Sequence, residues 1–296
     1  MSYAVVTTVL SAAASYDLTD LATVKDELSL TDTLADAWLS RGISQVSASI
    51  SNYTKRVFAP EYVQDVFDIQ QDPYPYQTPG GFAELQLTRW PVLAVISVVQ
   101  TLAAGSTQTL VQNTDFRADP ATGRLLRLNP FTGVATTWEA YPLTVLYTAG
   151  FGALVTESHV VPASPYQVTV SQSAAFSCAQ SVSYASGTAF SAVAANPAQG
   201  QYAVANGVFT FNPADTGQTL SFVYATSAIP FDIIDVCLQL ITGRFQARGR
   251  DPALIQRDTP GVGTERFWFG GEPGQRGPFP PDLQGILDSY RTPTVA

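Results

Sequence analysis

The chain has 296 residues, enough for roughly two domains at about 150 residues each, and an apolar content of 46% supports a sizeable core. Charged residues make up only 13% and the net charge is −9, which excludes a disordered chain, since disorder needs low hydrophobicity together with high charge. The charge is unevenly placed: residues 1–128 hold 8 Lys+Arg and 13 Asp+Glu, residues 129–243 hold 0 and 5, and residues 244–296 hold 7 and 6. With no Lys or Arg between Arg127 and Arg244, the middle of the chain has nothing to neutralise phosphates, which argues against sequence-reading of DNA.

In chain order, AVVTTVLSAAAS near the N-terminus has the apolar character of a secretory signal, but no Lys or Arg precedes it, so secretion is not expected. Thr19 stands as N-cap to a short helix with Leu21, Val24 and Leu28 on one face. A longer helix is predicted from about Asp32 to Tyr53, with Leu34, Trp38, Ile43, Val46, Ile50 and Tyr53 as its apolar stripe and Asp32 as its cap. Its other face carries Ser44, Ser47, Ala48 and Ser51, small residues that let another helix or subunit approach closely; a solvated face is the plainer alternative.

After Phe58 the period changes from 3.6 to 2, the mark of strands. EYVQDVFDI (61–69) and FAELQLT (82–88) read as a hairpin around a Pro/Gly/Tyr loop, and WPVLAVISVVQTL as a strand with Pro91 confined to its start. DFRADPATGRLLRL gives two short strands around Pro120–Gly123, and PLTVLYTAGFG a further strand. The longest apolar run, LAVISVV at 93–99, is far short of the roughly 18 residues a spanning helix needs, so no membrane partner is expected. From about 160 to 228, short alternating segments separated by Ser-Gly, Asn-Pro, Asn-Gly and Thr-Gly turns predict a small β-sandwich or barrel. IPFDIIDVCLQLITGRFQARG then returns to helical spacing, with Pro230 at the start, Asp232 and Asp235 near the positive end of its dipole, and Arg244 and Arg248 near the negative end. Ile234, Cys237 or Leu238, Ile241 and Phe245 form its expected buried stripe. The Pro- and Gly-rich tail after Gly249, with arginines and a Phe267, Trp268, Phe269 triplet, reads as an extended arm that orders on a partner, without a core element of its own.

Catalysis lacks an inventory. There is one histidine, His159, and no G-x-S-x-G or second histidine to build a triad or metal site. The carboxylate pairs Asp65/Asp68, Asp115/Asp119 and Asp232/Asp235 are candidates for glycosidase chemistry by number alone, and the first and last read more plainly as strand-surface and helix-terminal charges. GVGTERF lacks the glycines of a phosphate-binding loop. Cys178 and Cys237 fit no zinc or redox spacing and read as small buried hydrophobes. The expectation is a non-enzyme with no cofactor and no metal.

Read together, these residues resemble a known family. The order is Leu21, Val24, Lys25 and Leu28 on a short helix; Ile50, Tyr53, Thr54, Arg56 and Phe58 ending a long one; Trp90-Pro91-Val92 opening a strand; Val145, Tyr147, Ala149, Gly150 and Phe151 ending another; and Ile229-Pro230 opening a helix. This is similar to the head-tail connector, or adaptor, proteins of tailed bacteriophages and gene transfer agents. In that family the strand end runs within a few residues into the Val/Ile-Pro helix start, whereas here 77 residues separate Phe151 from Ile229. The implied architecture is α+β: a connector domain of 1–158 and 229–250 with a small antiparallel sheet, an inserted β-sandwich-like module at 159–228, and an extended arm at 251–296.

The resemblance further implies a homo-oligomer, commonly a dodecameric ring, seated in the virion neck beneath the portal protein. It would join the head to a stopper or tail-completion protein, with double-stranded DNA passing through its lumen, and would assemble in the host cytoplasm. A lumen poor in Lys and Arg would let DNA slide. Arg244, Arg248, Arg250, Arg257, Phe267, Trp268 and Phe269 are the expected portal-docking residues, since arginines and aromatics anchor interfaces, and Ser44, Ser47, Ala48 and Ser51 the expected subunit interface. The alternatives are another neck or tail protein, such as an all-β stopper or tail terminator, and a secreted carbohydrate-binding protein presenting Tyr62, Tyr74 and Tyr76.

Overall fold

The structure is a computed structural model that describes residues 3–69, 84–102, 105–139, 141–248, 256–259, 263–266 and 279–291. Its contacts divide the chain into two units, one of residues 1–15 with 59–228 and one of residues 16–58 with 229–296. All described strands but one hairpin fall in the first, and all four described α-helices in the second. The protein is therefore a mixed α and β chain, mostly β by element count.

The first unit opens with β1 (Tyr3–Ser11). This Val/Thr-rich run, set aside as a signal and given no strand from its sequence pattern, has β-branched residues that pair antiparallel with β2 (Glu61–Ile69), Val6 against Val66. β2 alternates buried residues with half-buried ones and, at Asp68, an exposed one. With β4 (Val92–Thr101), β5 (Thr107–Leu110) and β8 (Leu143–Ala149), these strands form a five-stranded antiparallel sheet of order β1-β2-β8-β4-β5. The predicted 61–69/82–88 hairpin does not form. β3 (Glu84–Gln86) pairs instead with β7 (Arg124–Arg127), which also pairs with β6 (Phe116–Asp119), in a separate three-stranded sheet. The two sheets share one core: Val63, Phe67, Val98, Val145 and Tyr147 from the larger meet Leu85, Phe116 and Leu125 from the smaller.

The second part of this unit contains seven strands. β9 (Gly152–Val160), β11 (Phe176–Tyr184) and β15 (Thr219–Ser227) form one sheet in the order β11-β15-β9. β10 (Gln167–Thr169), β12 (Ser191–Ala192), β13 (Gln201–Ala205) and β14 (Val208–Phe211) form another. Phe209, Phe211 and Tyr202 from the second sheet pack on Phe222, Tyr224 and Val182 from the first, with the Phe209 and Phe222 rings edge to face at 5.0 Å. This is the sandwich that the turn spacing predicted. The Asn206-Gly207 hairpin has both residues at positive φ, 48° and 75°, as a two-residue hairpin turn requires. The expected module boundary near 158 falls inside β9, which is zipped to β15 from Gly152↔Ser227 to Val160↔Thr219, so the module's own sheet begins at Gly152.

The second unit holds α1 (Leu21–Glu27), α2 (Asp36–Thr54), α3 (Phe231–Gln246) and α4 (Pro281–Tyr290), along with the hairpin of β16 (Gln256–Thr259) and β17 (Gly263–Arg266). The cap of α1 is Asp20, not Thr19: its carboxylate accepts from the Thr23 amide at 2.7 Å. Asp32 does not cap α2 either. It accepts from the Leu34 amide at 3.0 Å, a local turn that keeps Leu34 outside the helix and exposed. The buried face of α2 is Leu39, Gly42, Ile43, Val46, Ser47, Ile50 and Thr54, and that of α3 is Ile233, Val236, Cys237 and Ile241. The arm at 251–296 was expected to lack a core element, yet α4 buries Leu283 and Leu287, four apart on one helical face. Pro280-Pro281 starts it with a fixed φ.

One buried carboxylate ties the larger sheet together. Asp65 on β2 accepts from Thr7 Oγ1 at 2.7 Å, Thr88 N at 2.9 Å, Thr88 Oγ1 at 2.9 Å and the Tyr147 hydroxyl at 2.7 Å. Burial, followed by the neighbouring Asp65 charge, pushes the Tyr147 phenol far above its ordinary range, so it remains a donor. Replacing Asp65 with Ala strands these donors in the core and should cost about 3 kcal/mol. A lowered midpoint in urea with an unchanged slope is the expected result.

Candidate functional site

None of the three carboxylate pairs forms a catalytic couple. Asp65 and Asp68 are three apart on one strand, which puts them on opposite faces; Asp65 is buried, correcting its reading as a surface charge, and Asp68 is exposed. Asp115 is buried 3.7 Å from Arg127 and accepts from the Val111 amide, while Asp119 is exposed and held below its usual range first by the Thr122 hydroxyl. Asp232 and Asp235 bond to Tyr290 and Gln239.

His159 lies on β9, its ring 5.6 Å from Phe222 and its Nε2 3.1 Å from Glu157 Oε1. The Ser171 hydroxyl donates to Glu157 and not to the imidazole, so no Ser–His couple is formed. Burial works to raise the Glu157 carboxyl, but the Ser171 bonds and His159 bring it below its usual value. Among the described residues no cluster of His, Cys, Asp and Glu could hold a metal ion. Burial pushes the Cys178 thiol up to about 12 and the Cys237 thiol up to about 11, which leaves both protonated and unreactive. No helix among the described residues is long and apolar enough to cross a membrane.

The expected interface on α2 divides. Ser44 and Ala48 are exposed and Ser51 is half-buried. Ser47 is withdrawn from that face: it is buried, accepts from the Leu18 amide at 3.0 Å and sits 4.0 Å from Cys237 Sγ. Ser47 is thus a joint between the segment before α1, α2 and α3, rotated about 100° around the helix from the exposed Ala48 beside it.

Of the expected docking residues, Arg244 and Arg248 lie one turn apart near the end of α3, both exposed. The Arg248 guanidinium stands 5.5 Å over the Trp38 ring, which meets Phe245 edge to face at 5.7 Å. Arg257 lies on β16 opposite Glu265; Arg250, Phe267, Trp268 and Phe269 lie outside the described residues. Tyr74 and Tyr76, the suggested sugar-binding tyrosines, also lie outside them, and Tyr62 is half-buried.

A second aromatic and basic corner escaped the sequence reading. Tyr53 packs edge to face on Phe279 at 5.2 Å, donates to Asp288 at 2.6 Å and lies beneath the Arg291 guanidinium at 5.5 Å. Tyr290 packs against Phe58 at 5.9 Å and donates to Asp232 at 2.9 Å. The signal was the Leu283/Leu287 spacing after Pro280-Pro281, hidden by the proline and glycine content around it. At each corner an arginine just past the end of a helix stacks on an aromatic ring of α2, Arg248 on Trp38 and Arg291 on Tyr53.

No known family model matches the chain, and no curated protein matches it. Three solved chains overlap it along nearly its whole length. One is from the neck of an empty GTA particle computed with C6 symmetry, at 12% identity and TM-score 0.41, covering 100% of this chain and 98% of that one. Another is from the virion of a native gene transfer agent particle, at 13% identity and TM-score 0.42, covering 98% and 97%. The third is from the neck of a native GTA particle computed with C12 symmetry, at 13% identity and TM-score 0.38, covering 100% and 98%. Similarity at this level assigns no function.

Burial, and then the bond to Asp232, pushes the Tyr290 phenol from 10.0 up to about 12. A raised phenol stabilises the folded state fully below pH 10 and loses that contribution as pH rises through about 12. Tyr290→Phe should therefore lower stability by about 1 kcal/mol at pH 8. The gap from the parent protein should close between pH 10 and 12, as followed by urea unfolding with helical circular dichroism.

Proposed function

We propose that this protein is a structural component of the virion neck of a tailed phage or gene transfer agent particle: a ring-forming head-to-tail adaptor beneath the portal. One observation carries the reading. The Ala228 amide donates to the Phe151 carbonyl at 2.8 Å, so the strand end Val145–Phe151 and the residue before Ile229-Pro230 are neighbours despite their separation in sequence. Take out the module between them, and the order of elements is the one expected of the adaptor family. The insertion costs little chain entropy, because loop closure grows only with the logarithm of length.

The remaining features fit this role. The ring closes by repeating one heterologous contact, to which the exposed Ser44 and Ala48 and the half-buried Ser51 of α2 contribute. The portal is held by Arg244, Arg248, Arg250, Arg257 and the Phe267–Phe269 triplet, and the stopper or tail-completion protein binds the opposite end. DNA passes through a lumen that offers few cations to grip it. The protein does no chemistry in this role. The four helices among the described residues disfavour the alternative of an all-β stopper or tail terminator.

Electron microscopy of the purified protein should show closed rings, and isolated monomers at all concentrations would overturn the reading. Because α4 is part of the helical unit's core, the docking segment is best tested by replacing Arg257, Phe267, Trp268 and Phe269 with Ala instead of truncating at 251. The ring should survive this change while affinity for the portal falls at least about tenfold, measured by co-sedimentation with portal rings.

A further inference from the structure

Among the described residues, the five-stranded sheet ends in two strands that pair on one side only. Every neighbouring pair in the order β1-β2-β8-β4-β5 is antiparallel, and with an odd number of strands the two edges run in the same direction. β1 is 9 residues long, about 30 Å of strand, and among the described residues no other strand pairs with its outer edge. Natural edges are normally blunted by lysines, prolines or bulges. YAVVTTVLS has no charge and no proline, and its single irregularity falls near its end, between Val9 and Ser11. Val6, Val9 and Leu10 are exposed along it.

The opposite edge has the same character. β5 is uncharged, and beyond it Val111 and Val134 are exposed and Phe131 is 95% exposed. The backbone that carries them is held by hydrogen bonds. Asp115 accepts from the Val111 amide at 2.8 Å and its carbonyl accepts from Arg127, while Asn129 Oδ1 accepts from the amides of Phe131 at 2.9 Å and Thr132 at 3.2 Å. Gly133, at φ +67°, completes the turn. Of the 8 exposed large hydrophobics described in this unit, 7 lie on β1, on β4 or around this corner, with Val160 the exception. Residues 1–16, 90–114 and 128–138 contain no Asp, Glu, Lys, Arg or His in a chain of net charge −9, so these two edges are where copies meet with least repulsion.

We propose that the β1 edge of one copy joins the β5 edge of the next, continuing the sheet across the subunit boundary as a parallel pair. Val6, Val9 and Leu10 then lie against Val111, Phe131 and Val134 of the next copy. A β1-to-β1 contact would be isologous and stop at two copies, leaving the Phe131 corner uncovered. Joining two different edges is heterologous and repeats, as a ring requires. The proposal rests on the ring reading and deepens it by naming a seam.

Full-length protein carrying Thr8→Cys, Thr109→Cys or both tests the seam with a short bismaleimide, since Cys178 and Cys237 are buried. The double variant should give a ladder of covalent multimers, each single variant alone should remain monomeric on a denaturing gel, and the two single variants mixed should give dimers only. In parallel, Val6→Lys with Val9→Lys should keep the parent's circular dichroism and raise the subunit dissociation constant at least tenfold in sedimentation. Dimers from Thr8→Cys alone would overturn the heterologous seam. Rings that sediment normally with both lysines present, or that form no ladder, would overturn the seam while leaving the ring intact. A parent protein that sediments only as a monomer would overturn both.

Discussion

At Gly150 and Gly152 the backbone passes so close to its neighbours that no side chain fits. A Cβ on Gly152 would overlap the Thr226 carbonyl oxygen, and one on Gly150 would overlap the backbone of Pro60 and Ala59. Gly150 also sits at φ +139°, a conformation that L side chains rarely adopt. This double contact lets β8 end against the start of β2 and hand the chain at once to β9, which runs back along β15. The sandwich therefore begins and ends at one point, where Phe151 and Ala228 share a hydrogen bond. A bulkier residue here would displace the strand end that the adaptor resemblance depends on.

Two buried carboxylates organise the β-rich unit, whereas the side chain of Gln100, equally buried, has no hydrogen-bond partner among the described residues. Asp65 is surrounded by donors from β1, β8 and the residues before β4. Asp215 in the sandwich, also fully buried, accepts from the Gly200 amide at 3.2 Å and the Tyr184 hydroxyl at 3.2 Å. Each carboxylate fixes loops that apolar packing alone would leave adjustable. Among the unit's other charges, Asp115 pairs with Arg127, Glu61 with Arg89 and Glu84 with Arg124, while β1, β4 and β5 carry none. Other arginines gather on the helical unit and the tail, where stacking on Trp38 and Tyr53 holds Arg248 and Arg291 in place.

Elements with a clear period were legible in the sequence. β2, β4, the β6–β7 turn, β8, four of the sandwich segments (β10, β11, the β13–β14 hairpin and β15) and α3 follow from alternation, helical spacing or a glycine at a turn, whereas β9 and the two-residue β12 were not anticipated. What failed had a local signal opposed by a tertiary one. β1 does not read as a strand from sequence because its pattern is apolar on both faces, which makes sense only once its edge position is known. β3 lies near β2 in sequence but finds its partner in β7, and no local pattern encodes that choice. α4 was masked by the prolines and glycines around it, although Leu283 and Leu287 carried its spacing. On α2, Ser47 was assigned to the exterior because seryl side chains are small and polar; its burial depends on the Leu18 amide, which a periodicity argument does not see. The docking segment rests on composition, since Phe267, Trp268 and Phe269 lie outside the described residues.

The central proposal is that a complete β-sandwich has been set into the joint of a connector fold. Deleting Gly152–Ser227 and joining Phe151 directly to Ala228 tests it most directly, because those two residues already share a hydrogen bond. The account predicts a soluble protein whose helical circular dichroism is retained and whose remaining sheet and helices unfold cooperatively in urea. An aggregated or unfolded product would contradict it and make the sandwich an integral part of the sheet unit.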